Sequence, residues 1–134
     1  MEQPVYQGSA GLDGAPFNGW FVGRLRDWRI QNGIDPDPEG LDLRDAGALE
    51  IKWGIHPKGQ LRPGGWAGRT DKICLGLLVR GSFILRFRSF DHPIQELTHH
   101  LRSEGDYVIW REEVEHTWQA EEDSVILTVR WKPE

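Results

Sequence analysis

The side chains in this sequence best suited to chemistry are few: five histidines, one cysteine, Cys74, and scattered carboxylates. His116 has the most suggestive setting. A Gly105-Asp106 turn feeds the short apolar run Tyr107-Val108-Ile109-Trp110, the polar bend Arg111-Glu112-Glu113 follows, and His116 then opens an alternating strand. Trp118, two residues on, shares its face. A neutral imidazole so held can serve as base, hydrogen-bond partner or metal ligand near neutral pH. The plainer reading is a buried histidine satisfied by a carbonyl or a carboxylate. Residues 105–118, continued by the run 124–131, predict a hairpin that delivers His116 to a fixed place.

The other reactive candidates are weaker. Cys74 lies in the apolar run 73–79 and reads as a small core residue, since a reactive thiol needs a cationic or helix-terminal setting that the sequence does not show. His56 ends an alternating strand, sharing a face with Glu50 and Lys52, and is either a substitute metal ligand or a solvated histidine beside a turn. His99 and His100 are neighbours, so on a strand they point to opposite faces and cannot serve one site. Glu112, Glu113, Glu115, Glu121, Glu122 and Asp123 read as a solvated rim, not a catalytic carboxylate pair. Seven tryptophans, Trp20, Trp28, Trp53, Trp66, Trp110, Trp118 and Trp131, spread along the chain. Most are expected in the core, with Trp53, Trp110 and Trp118 as possible walls of a ligand pocket.

These groups need a scaffold, and 134 residues at 38% hydrophobic and 28% charged fit one domain with one core. A net charge of −5 argues against nucleic acid and anionic membrane as partners, because both reward a basic surface. The longest apolar run, residues 73–79, is far short of the ~20 residues a membrane span needs. One cysteine cannot form an internal disulfide and no signal segment opens the sequence, so a cytoplasmic setting is expected.

Along the chain, residues 1–16 are glycine-rich and aperiodic, predicting an extended or loosely ordered arm. Residues 17–26 read as one short element, with Asn18 as a helix cap and Phe17, Phe21 and Leu25 at helical spacing, although Gly19 and Gly23 weaken it. Residues 35–40 are a loop. From Leu49 the period becomes two: Leu49, Ile51, Trp53 and Ile55 alternate with Glu50, Lys52, Gly54 and His56. Further strands are expected over 72–79, 83–87 and 95–101, the first two around the turn Arg80-Gly81-Ser82, with a loop over 90–93. The division is an N-terminal arm, short element and loop over 1–48 and an all-β barrel or sandwich over 49–134.

The residues Leu77-Leu78-Val79-Arg80-Gly81-Ser82-Phe83, with Gly105-Asp106 and His116 at their spacing, resemble the two motifs of the cupin superfamily. In the second motif Gly105 and His116 hold their places, while Arg111, Glu113 and Ala120 replace the usual Pro, Gly and Asn. The resemblance covers roughly residues 49–131 and implies a single-domain jelly-roll β-barrel with an internal pocket. It also implies four metal-ligand positions, which here are Gly68, Thr70, Cys74 and His116. Three of the four usual ligands are missing, so no cofactor is expected. A divalent metal stays open only through the non-standard set His56, Cys74 and His116. Small cupins commonly pair exposed barrel edges, which implies a homodimer with the N-terminal arm covering the barrel or exchanging with its neighbour.

Two function classes follow. One is a binding module for a small polar molecule, anchored by His116 and flanked by Trp118, Trp53, Trp110 and Cys74. The other is a small cupin enzyme, either metal-dependent through unusual ligands or a metal-free epimerase or isomerase with His116 as base. That last form lacks the companion histidine of the first motif. No Ser-His-Asp arrangement, phosphate-cradling glycine loop or Cys-X-X-Cys pair supports another chemistry.

Overall fold

In the computed structural model, which describes residues 4–35, 37–91 and 95–133, alternation in the sequence becomes two antiparallel sheets facing one another. The larger has the order β1-β2-β8-β3-β6: β1 (Trp20–Val22), β2 (Leu49–His56), β8 (Ser124–Trp131), β3 (Ile73–Arg80) and β6 (Tyr107–Trp110). The smaller has the order β5-β4-β7: β5 (Glu96–Leu101), β4 (Phe83–Ser89) and β7 (Val114–Ala120). Leu78 and Ile126 from the first sheet meet Phe83, Leu85, Phe87, Leu101 and Ala120 from the second in one buried core. The result is an all-β jelly roll. Among the described residues no helix is long and apolar enough to cross a membrane.

Burial of alternate residues on both sheets dictates this packing. In β3 the buried positions are Cys74, Gly76 and Leu78, and in β4 they are Phe83, Leu85 and Phe87, with Arg86 exposed between them. The chain turns from β3 to β4 at Gly81, with φ +105°, where a Cβ would collide with the Asp123 carbonyl oxygen and Ser124 Oγ. Only glycine fits that corner.

The expected hairpin over residues 105–118 is not formed. β6 pairs with β3 and β7 pairs with β4, so the bend Arg111-Glu112-Glu113 carries the chain from one sheet to the other. A tight turn and a sheet-switching corner look alike locally; what separates them here is that both sheets bury an inner face, which adjacent pairing of β6 and β7 would forgo. β4 and β5, by contrast, are successive strands that do pair.

The N-terminal region also departs from expectation. Residues 10–17 are not an extended arm: α1 (Ala10–Gly14) runs into a 3-10 turn, Ala15–Phe17. Residues 17–26 are not one helical element: Asn18 adopts left-handed φ 54°, β1 pairs with β2, and α2 (Leu25–Asn32) starts after Gly23. Phe17 and Leu25 still share a side, forming a small second core with Leu41 of α3 (Leu41–Arg44). Buried Arg44 ties this region together by donating to the carbonyls of Asp13, Phe21 and Glu39. The expected boundary between residues 48 and 49 therefore has a strand of the same sheet on each side. Pro36 and residues 92–93, in the two expected loops, and residues 1–3 of the expected arm lie outside the described residues.

Candidate functional site

Between the sheets lies a cavity of about 480 Å³. Its floor is set by register on the larger sheet, where Thr128 of β8 sits between Lys52 of β2 and Gly76 of β3, and Arg130 of β8 faces Cys74 of β3. The opposite wall comes from the smaller sheet, where Phe87 faces His116 and Leu85 faces Trp118. Segment 59–67 runs along β7 as a further wall: Arg62 N–H donates to the Trp118 carbonyl at 3.0 Å and Ala67 N–H to the His116 carbonyl at 2.7 Å. This brings Arg62 to the cavity, where its Nη1 donates to the carbonyls of Pro63 and Gly65.

Of the sequence candidates, His116, Trp118, Trp110, Cys74 and His56 line this one cavity. The His116 ring lies 4.8 Å from that of Trp110 and 6.4 Å from that of Phe87. Burial, then the charges of Arg62 and Arg130, push its pKa down to about 4, so it is neutral near pH 7. His56 is not a solvated histidine beside a turn: it packs 4.3 Å from Trp118 and 5.4 Å from Phe83, with Nδ1 2.8 Å from Gln60 Oε1. Burial holds its pKa below the ordinary value, against the Gln60 hydrogen bond. Burial pushes the Cys74 thiol up, as befits an inert core cysteine.

Trp53 is not a wall of this cavity. Odd and even positions of β2 face opposite ways, so Trp53 lies against Gly11 and lines an outer groove of about 520 Å³. That groove shares Lys52, His56, Arg62 and Trp118 with the inner cavity. The tryptophans border the cores more than they fill them: all seven are only partly buried, Trp110 and Trp118 pack against the main core and Trp20 and Trp28 against the small one, and the largest fully buried side chains are Phe17, Phe83, Leu25, Leu78 and Val125. The acidic stretch is also mixed, since Glu112 and Glu113 are exposed whereas Glu115 is an ion-pair partner of Arg88. His99 and His100 lie exposed on β5, away from the cavity lining.

The cations of the lining were not among the sequence candidates. Lys52, Arg62, Arg69 and Arg130 all line the cavity, together with Trp20. Lys52 and Arg130 lie over the Trp20 ring at 5.6 and 4.2 Å. Glu50 holds Arg130 at 2.6 Å and also pairs with Lys72. Burial alone would raise its carboxyl pKa, but those two partners outweigh burial and keep it low. The alternation of Ile126, Thr128 and Arg130 on one strand face was an available signal for Arg130.

No protein-family model and no curated protein sequence matches the chain. Solved structures do. KdgF from Halomonas sp. aligns over 65% of this chain and 71% of its own, with TM-score 0.52 and 17% identity. Lactobacillus farciminis oxalate decarboxylase, in a formate complex, aligns over 66% and 25%, with TM-score 0.54 and 13% identity. The chain has the cupin fold. Streptomyces albus HEPD, solved with 2-hydroxyethylphosphonate and Fe(II) bound, aligns over 65% and 19%, with TM-score 0.53 and 15% identity. The chain spans a quarter or less of the length of these last two proteins, and at such identities the likeness is one of fold alone.

The cupin fold invites a metal, and this lining does not fit one. Gly68, Thr70, Cys74 and His116 do line the same cavity, so the resemblance placed those positions together. Their chemistry fails: glycine has no donor, a threonine hydroxyl is a weak one, and a buried thiol stays protonated. Nor does the alternative set assemble, since His56 rests on Trp118 and His116 on Trp110. Among the described residues no three His, Cys, Asp or Glu side chains gather as a metal-holding group. Arg62, Arg69, Arg130 and Lys52 would further oppose a cation there.

Proposed function

We propose that this cupin barrel is a binding module that holds a small polar organic molecule beside His116, between Trp110 and Trp118. The observation that carries this reading is the cavity itself: about 480 Å³, walled by Phe83, Leu85, Trp110, Trp118 and Ile126, with a few polar groups converging on it. His116, neutral near pH 7, offers an orienting hydrogen bond without the cost of burying a charge. The alternative, an enzyme using His116 as base, is less well supported, because a pKa of about 4 makes a poor acceptor at neutral pH. The same reading includes a homodimer, since Tyr107 and Ile109 are exposed on β6, the outer strand of the larger sheet. Sedimentation should then give about twice the 15.4 kDa chain mass.

The test is a screen of small carboxylates, sugars and nucleotides by intrinsic tryptophan fluorescence. Any hit should weaken in His116→Ala and in Trp118→Phe, and be unmoved by substitution of exposed Glu112 and Glu113. Hits that bind both cavity variants as tightly as the parent would place the ligand elsewhere.

A further inference from the structure

We infer that the occupant of this cavity is a small organic oxyanion, a carboxylate or phosphate ester on a compact apolar body, whose charge is met by Lys52, Arg62 and Arg130. The inference rests on the reading that the barrel interior is the ligand site, and adds the chemical class.

The first support is a charge imbalance. Over the whole chain acidic residues outnumber basic ones, 21 Asp and Glu against 16 Lys and Arg. The described cavity lining reverses this, with Lys52, Arg62, Arg69 and Arg130 and no carboxylate at all. Arg69 is exposed and stacks on Phe90, so Lys52, Arg62 and Arg130 are the cations that leave this space electrostatically incomplete in a protein with surplus acid.

The second is how the cations are held. Among the described residues neither Lys52 nor Arg62 forms an ion pair: Lys52 rests on the Trp20 face and Arg62 on two backbone carbonyls. Arg130 shares Glu50 with Lys72, so one carboxylate answers two cations, and its Nε is buried with no hydrogen-bond partner among the described residues. Burial and the neighbouring Arg130 and Arg62 depress the Lys52 pKa, a repulsion that a bound anion would relieve.

The third is the division of the cavity. Lys52 and Arg130 come from the larger sheet and Arg62 from the segment along β7, while Phe83, Leu85 and Trp118 of the smaller sheet form an apolar face. A ligand with a charged head and an apolar body matches both sides. Guanidinium forks suit carboxylate and phosphate alike, so the shared oxyanion chemistry is what the geometry selects.

The experiment titrates the full chain by tryptophan fluorescence at constant ionic strength with four probes that share one ring: benzoate, phenyl phosphate, benzamide and benzamidine. The expected result is that one or both anions bind at least about ten-fold tighter than benzamide, with no response to benzamidine. The tighter of benzoate and phenyl phosphate names the head group. Lys52→Met and Arg62→Gln should each weaken anion binding about ten-fold or more, Lys52→Arg should retain it, and Trp118→Phe should weaken every probe that binds. Near-UV circular dichroism checks that each variant is folded; should Lys52→Met fail, Arg62→Gln gives the same reading from a loop position.

Benzamide binding as tightly as benzoate, with the response lost in Trp118→Phe, would overturn the anion class and leave the interior site standing. Anion binding untouched by the Lys52 and Arg62 substitutions would overturn the assignment of these cations. No response to any probe would overturn both.

Discussion

The two sheets of this barrel face the same cavity with opposite chemistry. The three-stranded sheet presents Phe83, Leu85, Phe87, Leu101, Ala120, Trp118 and a neutral His116. The five-stranded sheet presents Leu78 and Ile126 at one end of its inner face, then Gly76, Thr128 and Lys52 in one row, then Arg130 and Cys74 with Trp110 beside them. One wall is therefore built to stabilise, burying apolar area that contributes roughly 25 cal/mol per Å². The other gives up stability, because a charge held out of water costs free energy unless something answers it. The lesson is that the candidate site lies where one sheet stops contributing to the core, a usual trade between stability and binding.

The largest test of this contrast is Phe83→Ala. Phe83 is 2% exposed and touches both Trp118 and His56, so truncation should cost about 3–5 kcal/mol in urea unfolding. Thr128→Val on the opposite wall should cost far less, and equal losses would mean the walls are not different in kind.

Next in size is a pH effect. The His116 pKa is depressed to about 4 in the folded chain against an ordinary 6.5, and the His56 pKa is depressed too. Between those values the unfolded chain binds the proton that the folded one refuses, so stability rises with pH across the window and is lost as pH falls through it. The loss from pH 7 to pH 4 should be on the order of 2 kcal/mol, measured by urea unfolding at several pH values. His116→Phe should flatten the slope but not remove it, since His56 remains. A parent whose stability is level across the window would contradict the burial of both rings.

Lys52→Met should go the other way and raise stability by about 1 kcal/mol, read as a higher urea midpoint, since it removes a partly desolvated cation repelled by Arg130 and Arg62. A loss instead would show that the ammonium contributes through its contact with Trp20. The smallest effect is expected outside both walls: Glu112→Gln with Glu113→Gln, both exposed on the bend between β6 and β7, should shift stability by less than about 0.5 kcal/mol.

Much of the scaffold was legible because it depends on neighbouring residues. The alternation from Leu49, the apolar run in β3, the corner at Gly81 and the turn before Tyr107 each gave a strand or its end close to where it lies. The site was legible in half: His116, Trp110, Trp118 and Cys74 converge, and Trp53 does not. The alternation in β2 was plain, yet it could not say which face turns inward. Burying apolar residues would favour Trp53 and Ile55, but the polar face with Lys52, Gly54 and His56 is the one that lines the cavity, and Ile55 is 66% exposed. The expected hairpin failed for a related reason, since a bend does not reveal whether the strands flanking it pair with each other or with distant partners.

By itself, then, the sequence determined the kind of element and the side-chain relations within each. His116 and Trp118 share a face because successive residues of an extended chain point opposite ways, and Gly81 takes φ +105° at its corner because it has no Cβ to clash with its own backbone. Tertiary structure alone decided which strands pair, which face of β2 is inner, and that Lys52, Arg62 and Arg130 meet. The physical reason is that strand geometry is fixed by sterics between bonded neighbours. Burial and the repulsion among cations depend on through-space distances that exist only once segments far apart in the chain close around the same volume.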